Sequence, residues 1–156
     1  MNISRMMKSH ELFQSLSFEE IEQVSSFSAS RSFGKDEIVF RRQEYGSHFF
    51  VIVEGRVNLR LPSPDGESSL VVARLQQGDI FGLSPLLGFE RFTTNAQCAE
   101  PSTILAVEVK GFRELLEHNS PVGLSVMNMV AKAYFSRYTG ALERIQRILD
   151  DLAAAV

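Results

Sequence analysis

The chain has 156 residues, 44% of them hydrophobic, and a formal net charge of −3. That is enough for a single domain, residues 1–156, with a sizeable core, and the lack of any Lys/Arg-rich block argues against nucleic acid as a partner of this chain. Cys98 is the single cysteine, so no internal disulfide can form; no run approaches the roughly 18 apolar residues of a membrane span, and no apolar leader opens the chain, so a cytoplasmic protein with no membrane partner is expected.

Residues 1–32 read as an N-terminal helical segment. Leu12 and Phe13 suggest a short apolar turn. Ser17-Phe18-Glu19-Glu20 reads as a capping box, with Leu16 and Ile21 placed to form the hydrophobic staple around it. A short helix to about Val24 follows.

From Phe33 the period changes to two, and residues 33–109 read as an antiparallel β jelly roll (double-stranded β-helix). Ile38 and Phe40 are flanked by polar residues. His48 to Val53 is a near-continuous apolar run, which suits a strand buried on both faces. Glu54-Gly55 turns the chain. Val57, Leu59 and Leu61 alternate with polar residues, so that strand shows one face to water. Pro62 to Gly66 is a turn signal, and Leu70 to Leu75 returns as a strand. Phe92-Thr94-Ala96-Cys98 and Leu105-Val107-Val109 give two further alternating stretches. Short strands punctuated by Gly and Pro indicate a jelly roll within a mainly β protein with helices.

After Lys110 the period becomes helical. Phe112, Leu115 and Leu116 mark a short helix over 110–119. Ser120 is placed to cap the next helix, with Pro121 at its first position. That helix, 120–154, carries Leu124, Ala131, Tyr138, Ile145 and Leu152 at every seventh residue, and Asn128, Phe135, Leu142 and Leu149 at the complementary heptad position. The stripe is a coiled-coil seam and predicts a homodimer through Leu124, Ala131, Phe135, Tyr138, Leu142, Ile145 and Leu149. The competing reading is a helix lying on its own barrel, but the stripe outlasts a barrel surface.

No nucleophile elbow, P-loop or HExxH pattern is present, so no catalytic residue is assigned and an enzyme is not expected. His10, His48 and His118 lie in no metal-ligand spacing, and no metal site is assigned. Cys98 reads as a small core residue, and Asp65 and Glu67 as solvated turn carboxylates.

Two segments, Gly46-Ser47-His48-Phe49-Phe50-Val51-Ile52-Val53-Glu54-Gly55-Arg56-Val57 and Gln77-Gly78-Asp79-Ile80-Phe81-Gly82, together resemble the cyclic nucleotide-binding domain, the sensor half of Crp/Fnr regulators and of cyclic-nucleotide-gated channels and kinases. The resemblance covers about Leu12 to Leu142. It implies a ligand site at Phe81, Gly82, Leu83, Ser84, Arg91, Thr93 and Thr94, with the long helix, around Arg137, Tyr138 and Thr139, as lid. In the family a Glu directly after Phe-Gly takes the ribose hydroxyl, and an Arg pairs with the cyclic phosphate. Here those positions hold Leu83 and Thr93. The ligand implied is therefore a cyclic nucleotide held weakly or not at all, or another small anion, with Arg91 as the compensating cation. Phe-Gly-x-Ser-x-Leu followed by an aromatic, Thr and Ala is similar to a variant of stand-alone bacterial members. Some relatives carry haem on His or Cys ligands; His48 and Cys98 are the residues that could serve, though nothing in the sequence demands it. The resemblance thus implies a non-catalytic regulatory sensor with a small-molecule effector. The alternatives are the effector half of a Crp/Fnr-type regulator, whose helix-turn-helix this chain does not include, and an interaction module whose pocket Leu83 and Phe92 fill.

Overall fold

The computed structural model describes residues 2–156. Two short helices, α1 (Ile3–Lys8) and α2 (Phe18–Ser26), flank a 3-10 turn at Glu11–Phe13. The capping box at the start of α2 is formed in full: Glu20 N–H donates to Ser17 Oγ at 3.2 Å, and Ser17 N–H donates to Glu20 Oε1 at 2.9 Å. Eight strands follow: β1 (Ser28–Phe33), β2 (Ile38–Phe40), β3 (His48–Glu54), β4 (Val57–Pro62), β5 (Ser69–Leu75), β6 (Ile80–Phe81), β7 (Asn95–Cys98) and β8 (Ser102–Glu108). Helices α3 (Val109–His118) and α4 (Ser120–Ala154) complete the chain.

The strands form two four-stranded antiparallel sheets, in the orders β1-β8-β3-β6 and β2-β7-β4-β5. The helical expectation for 1–32 is corrected at its end, since residues 28–33 pair with β8 along their whole length. Their sequence, Ser-Ala-Ser-Arg-Ser-Phe, has no apolar alternation, and this edge strand is specified by its partner rather than by its own pattern. The strand expected from Phe92 begins at Asn95. The cap of α4 is Asn119 rather than Ser120: Asn119 Oδ1 accepts from Val122 N–H at 3.4 Å.

Two cores result. Between the sheets, Phe40, Phe50, Ile52, Phe81, Phe92, Ile104 and Ala106 pack together with Cys98. On the outer face of the first sheet, Phe49, Val51, Leu105 and Val107 meet α2, α3 and the first turns of α4. Alternate residues of β3 thus serve both cores, and so do those of β8, which explains their continuous apolar runs. The turn after β3 relies on Gly55, whose φ of +108° and position against Ser102 leave no room for a Cβ.

Helix α4 turns Val122, Val126, Val130 and Ala133 into the helix-side core and reaches β6 and β5 with Arg137 and Arg144, all of them buried or largely buried. The spacing of three to four is that of one helix face. Arg137 donates to the Ile80 carbonyl and Arg144 to the Val72 carbonyl, fixing the helix to β6 and β5. The heptad residues Leu124, Ala131, Phe135, Tyr138, Leu142, Ile145 and Leu149 are all exposed, with Tyr138 at the border between that stripe and the docked face.

Candidate functional site: a cavity beneath the C-terminal helix

The site is built from the connection between β6 and β7. Gly82 ends β6 with φ +65°, and an added Cβ there would lie 2.8 Å from the Phe50 ring and 3.0 Å from that of Phe40. This close approach delivers Leu83 and Ser84 to the mouth of the roll. A 3-10 turn at Pro85–Leu87 follows, closed by Gly88 at φ +89°. The chain then runs back antiparallel to residues 43–46. Phe92 N–H donates to Glu44 O at 3.0 Å, and Gln43 N–H donates to Phe92 O at 2.8 Å. Pinned this way, Phe92 turns inward, and its ring stacks on Phe40.

A cavity of about 270 Å³ lies between this connection and α4. Of the site residues expected from the sequence, Gly82, Leu83, Ser84, Thr93, Thr94 and Tyr138 line it. Phe40, Leu59, Val72, Ala73 and Phe92 form the apolar wall, and Tyr134, Arg137, Tyr138 and Ala141 of α4 form the cover. Two expected site residues lie elsewhere. Phe81 is fully buried between the sheets and pairs with Phe50, so it is core rather than lining. Arg91 does not line the cavity; it donates to Gln43 O at 2.8 Å and to the Tyr45 hydroxyl at 2.7 Å, with its guanidinium 4.1 Å above the Tyr45 ring. It lines an adjoining groove with Phe89 and Glu90, which shares Ser84, Thr93 and Tyr134 with the cavity. In this arrangement Arg91 does not supply the compensating cation.

Leu83 is 2% exposed and belongs to the helix-side core. A carboxylate there would be buried among apolar neighbours. Ser84 is 5% exposed, and its hydroxyl makes no cap bond to the turn it precedes. Arg137 is the cation that reaches the cavity. Burial pulls its guanidinium below the ordinary arginine value, while Asp79 and Tyr134 push it the other way. On its far side Arg137 also borders a second cleft of about 380 Å³, lined by Glu11, Asp79, Gly140 and Arg144.

His48 and Cys98 lie in different sheets, β3 and β7, and Cys98 is buried. Among the described residues no cluster of three or more His, Cys, Asp or Glu could hold a metal ion, and no helix is long and apolar enough to cross a membrane.

A β roll whose small cavity is covered by its own C-terminal helix has the architecture of a ligand-binding regulatory domain. The chain belongs to the cyclic nucleotide-binding domain family, whose model matches residues 30–119. A cAMP-dependent protein kinase regulatory subunit from Mycosarcoma maydis is 40% identical over 76 residues, 49% of this chain and 14% of that protein's length. A protein from Geobacter metallireducens described as cyclic nucleotide-binding superposes with a TM-score of 0.72 at 25% identity, covering 88% of this chain and 98% of the other. The sensor domain of the transcriptional regulator DNR from Pseudomonas aeruginosa shares the fold with a TM-score of 0.75 at 21% identity, over 89% and 95% of the two chains.

Proposed function

We propose that this domain is a non-catalytic sensor in which a small ligand enters the cavity beneath α4 and alters how that helix is held. The cavity itself carries the reading. The loop side, Gly82–Ser84 with Thr93 and Thr94, and the helix side, Tyr134, Arg137 and Tyr138, contribute to one volume, so a ligand there touches both. A ligand shifts α4 only to the extent that it prefers one position of the helix over another.

The domain binds cAMP and cGMP weakly. Leu83 cannot accept from a ribose hydroxyl, and Thr93 carries no charge for a phosphate. Each lost charge-assisted hydrogen bond removes about 1.5–3 kcal/mol, and losing both takes a micromolar site to about millimolar. The output is a homodimer contact through the exposed stripe from Leu124 to Leu149, as the heptad spacing suggests. An effector half of a Crp/Fnr-type regulator would use the same helix, and the likeness in fold to the DNR sensor domain favours that as the second reading. The cavity supports a sensor over a pocket filled by its own side chains.

Calorimetric titration with cAMP and cGMP tests this, with dissociation constants expected near about 1 mM. Constants at or below about 1 μM would contradict the weakened site.

A further inference from the structure

We propose that Arg137 of α4 is the cation that pairs with the anionic group of the ligand, so that the charge missing at Thr93 is supplied from the helix instead of from the loop. The ligand class is a small organic anion, a phosphate ester or carboxylate carried on a largely apolar body. The assignment rests on the sensor reading above and names the group that makes the site work.

Arg137 is largely buried and makes no direct ion pair; the Asp79 carboxylate acts on its charge only from beyond contact distance. Among the described residues the recorded ion pair joins Arg56 and Glu100, at 4.0 Å, and Arg137 takes part in none. Its hydrogen bond goes to the Ile80 carbonyl, a neutral acceptor. A guanidinium has about five N–H donors, so most of its capacity is unused by that bond. Buried charges are costly unless paired, and a buried arginine beside an open cavity is a site for an anion. Its planar fork matches phosphate and carboxylate oxygens.

The second observation lies on the other wall of the cavity. Ser84 lines it with a hydroxyl that makes no cap bond to the turn it precedes and so can donate to a ligand. Thr94 brings a further hydroxyl to the same lining. An anion held by Arg137 and Ser84 satisfies the cation and the hydroxyl together, and leaves the rest of the ligand against Phe40, Leu59 and Phe92. The apolar wall favours an anion carried on an organic body over a free inorganic one. Because the same guanidinium holds α4 to Ile80, an anion in the cavity competes with that carbonyl for donors. Charge on the ligand is thereby read directly by the helix.

The test compares cAMP with adenosine, which keeps the base and ribose but lacks the charge. Both are titrated into the wild-type protein, Arg137→Gln, Arg137→Lys and Arg144→Gln. The wild type is expected to bind cAMP about tenfold more tightly than adenosine, with dissociation constants near about 1 mM and about 10 mM. In Arg137→Gln that preference disappears while adenosine affinity stays within about twofold, which also shows that the cavity has survived. Arg137→Lys keeps part of the preference through its charge. Arg144→Gln, which alters the neighbouring bond to Val72, keeps all of it. A cAMP preference that persists in Arg137→Gln overturns the assignment and leaves the sensor reading intact. So does an equal loss of both ligands, which would mark Arg137 as structural. Absence of binding by either ligand to the wild type at about 10 mM rejects the sensor reading for nucleotides, and the assignment with it.

Discussion

Phe92 lies flat on Phe40, with ring centroids 3.8 Å apart and planes inclined by 13°. The pair closes the inter-sheet core at the end where the cavity opens, and each ring also lines that cavity. Core and site therefore share a wall. Phe92→Ala is expected to cost about 3–5 kcal/mol of stability, read as a fall in the urea midpoint. Phe92→Leu, which refills part of the volume, should cost clearly less. Equal losses would mean that the stack, rather than the volume, is what matters there.

Thr93 lines the cavity yet is exposed, and its carbonyl already accepts from Arg42 Nε at 3.2 Å. An arginine side chain at this position has room to grow without entering the core. Thr93→Arg is expected to tighten cAMP about ten- to a hundredfold with little change in stability, measured by calorimetry. Leu83→Glu, the matching change at the ribose position, should instead destabilise the protein, because it places a carboxylate in the helix-side core.

On α4, Leu142 is 46% exposed and Ile145 52% exposed, on a face that the β roll leaves uncovered. If that face forms a homodimer, Leu142→Glu puts like charges together across the seam and removes buried apolar area. Sedimentation at micromolar protein is expected to show a dimer for the wild type and a monomer for the variant. A wild-type monomer under those conditions would remove the dimer from the account.

Glu20 ties α2 to the start of α4. Its carboxylate accepts from Ser17 N–H and from Asn119 Nδ2, the latter at 3.0 Å. These bonds, the one from Ser17 first, hold its pKa below the ordinary 4.5. A carboxylate depressed in the folded state stabilises the fold above its unfolded pKa, and that contribution fades as pH falls through the folded value. Glu20→Gln is therefore expected to lower stability near neutral pH by about 0.5–1.5 kcal/mol, and to flatten the loss otherwise seen between about pH 5 and 3. Urea unfolding of both proteins across that range measures it. An unchanged acid limb would assign the pH dependence to other carboxylates.

Much of the architecture could be read from the residues alone. The Ser17–Glu20 box, the double-sided run at His48–Val53 and the start of the long helix near residue 120 are local signals, and local physics decides them. Ser28–Phe33 was not legible, because a polar edge strand owes its conformation to Ala106, Leu105 and the rest of β8 across the ladder. The loop half of the site could be located by the resemblance, but the behaviour of Arg91 could not, since Tyr45 and Gln43 reach it only in three dimensions. The helix half could be placed around Arg137 to Thr139 by the resemblance, but which of its side chains reach the cavity could not. The heptad stripe dominates the pattern of α4, and the parts played by Tyr134 and Ala141 beside Arg137 and Tyr138 emerge only when the helix is docked on the roll.

The most direct test of the central claim is a two-dimensional NMR titration of the backbone amides with cAMP, up to about 10 mM, a range that captures weak binding. The account predicts shifts concentrated at Gly82, Leu83, Ser84, Thr93 and Thr94, and on α4 around Arg137 and Tyr138, all saturating with one dissociation constant. Shifts confined to the exposed stripe of α4, or none at the Gly82–Ser84 connection, would contradict it.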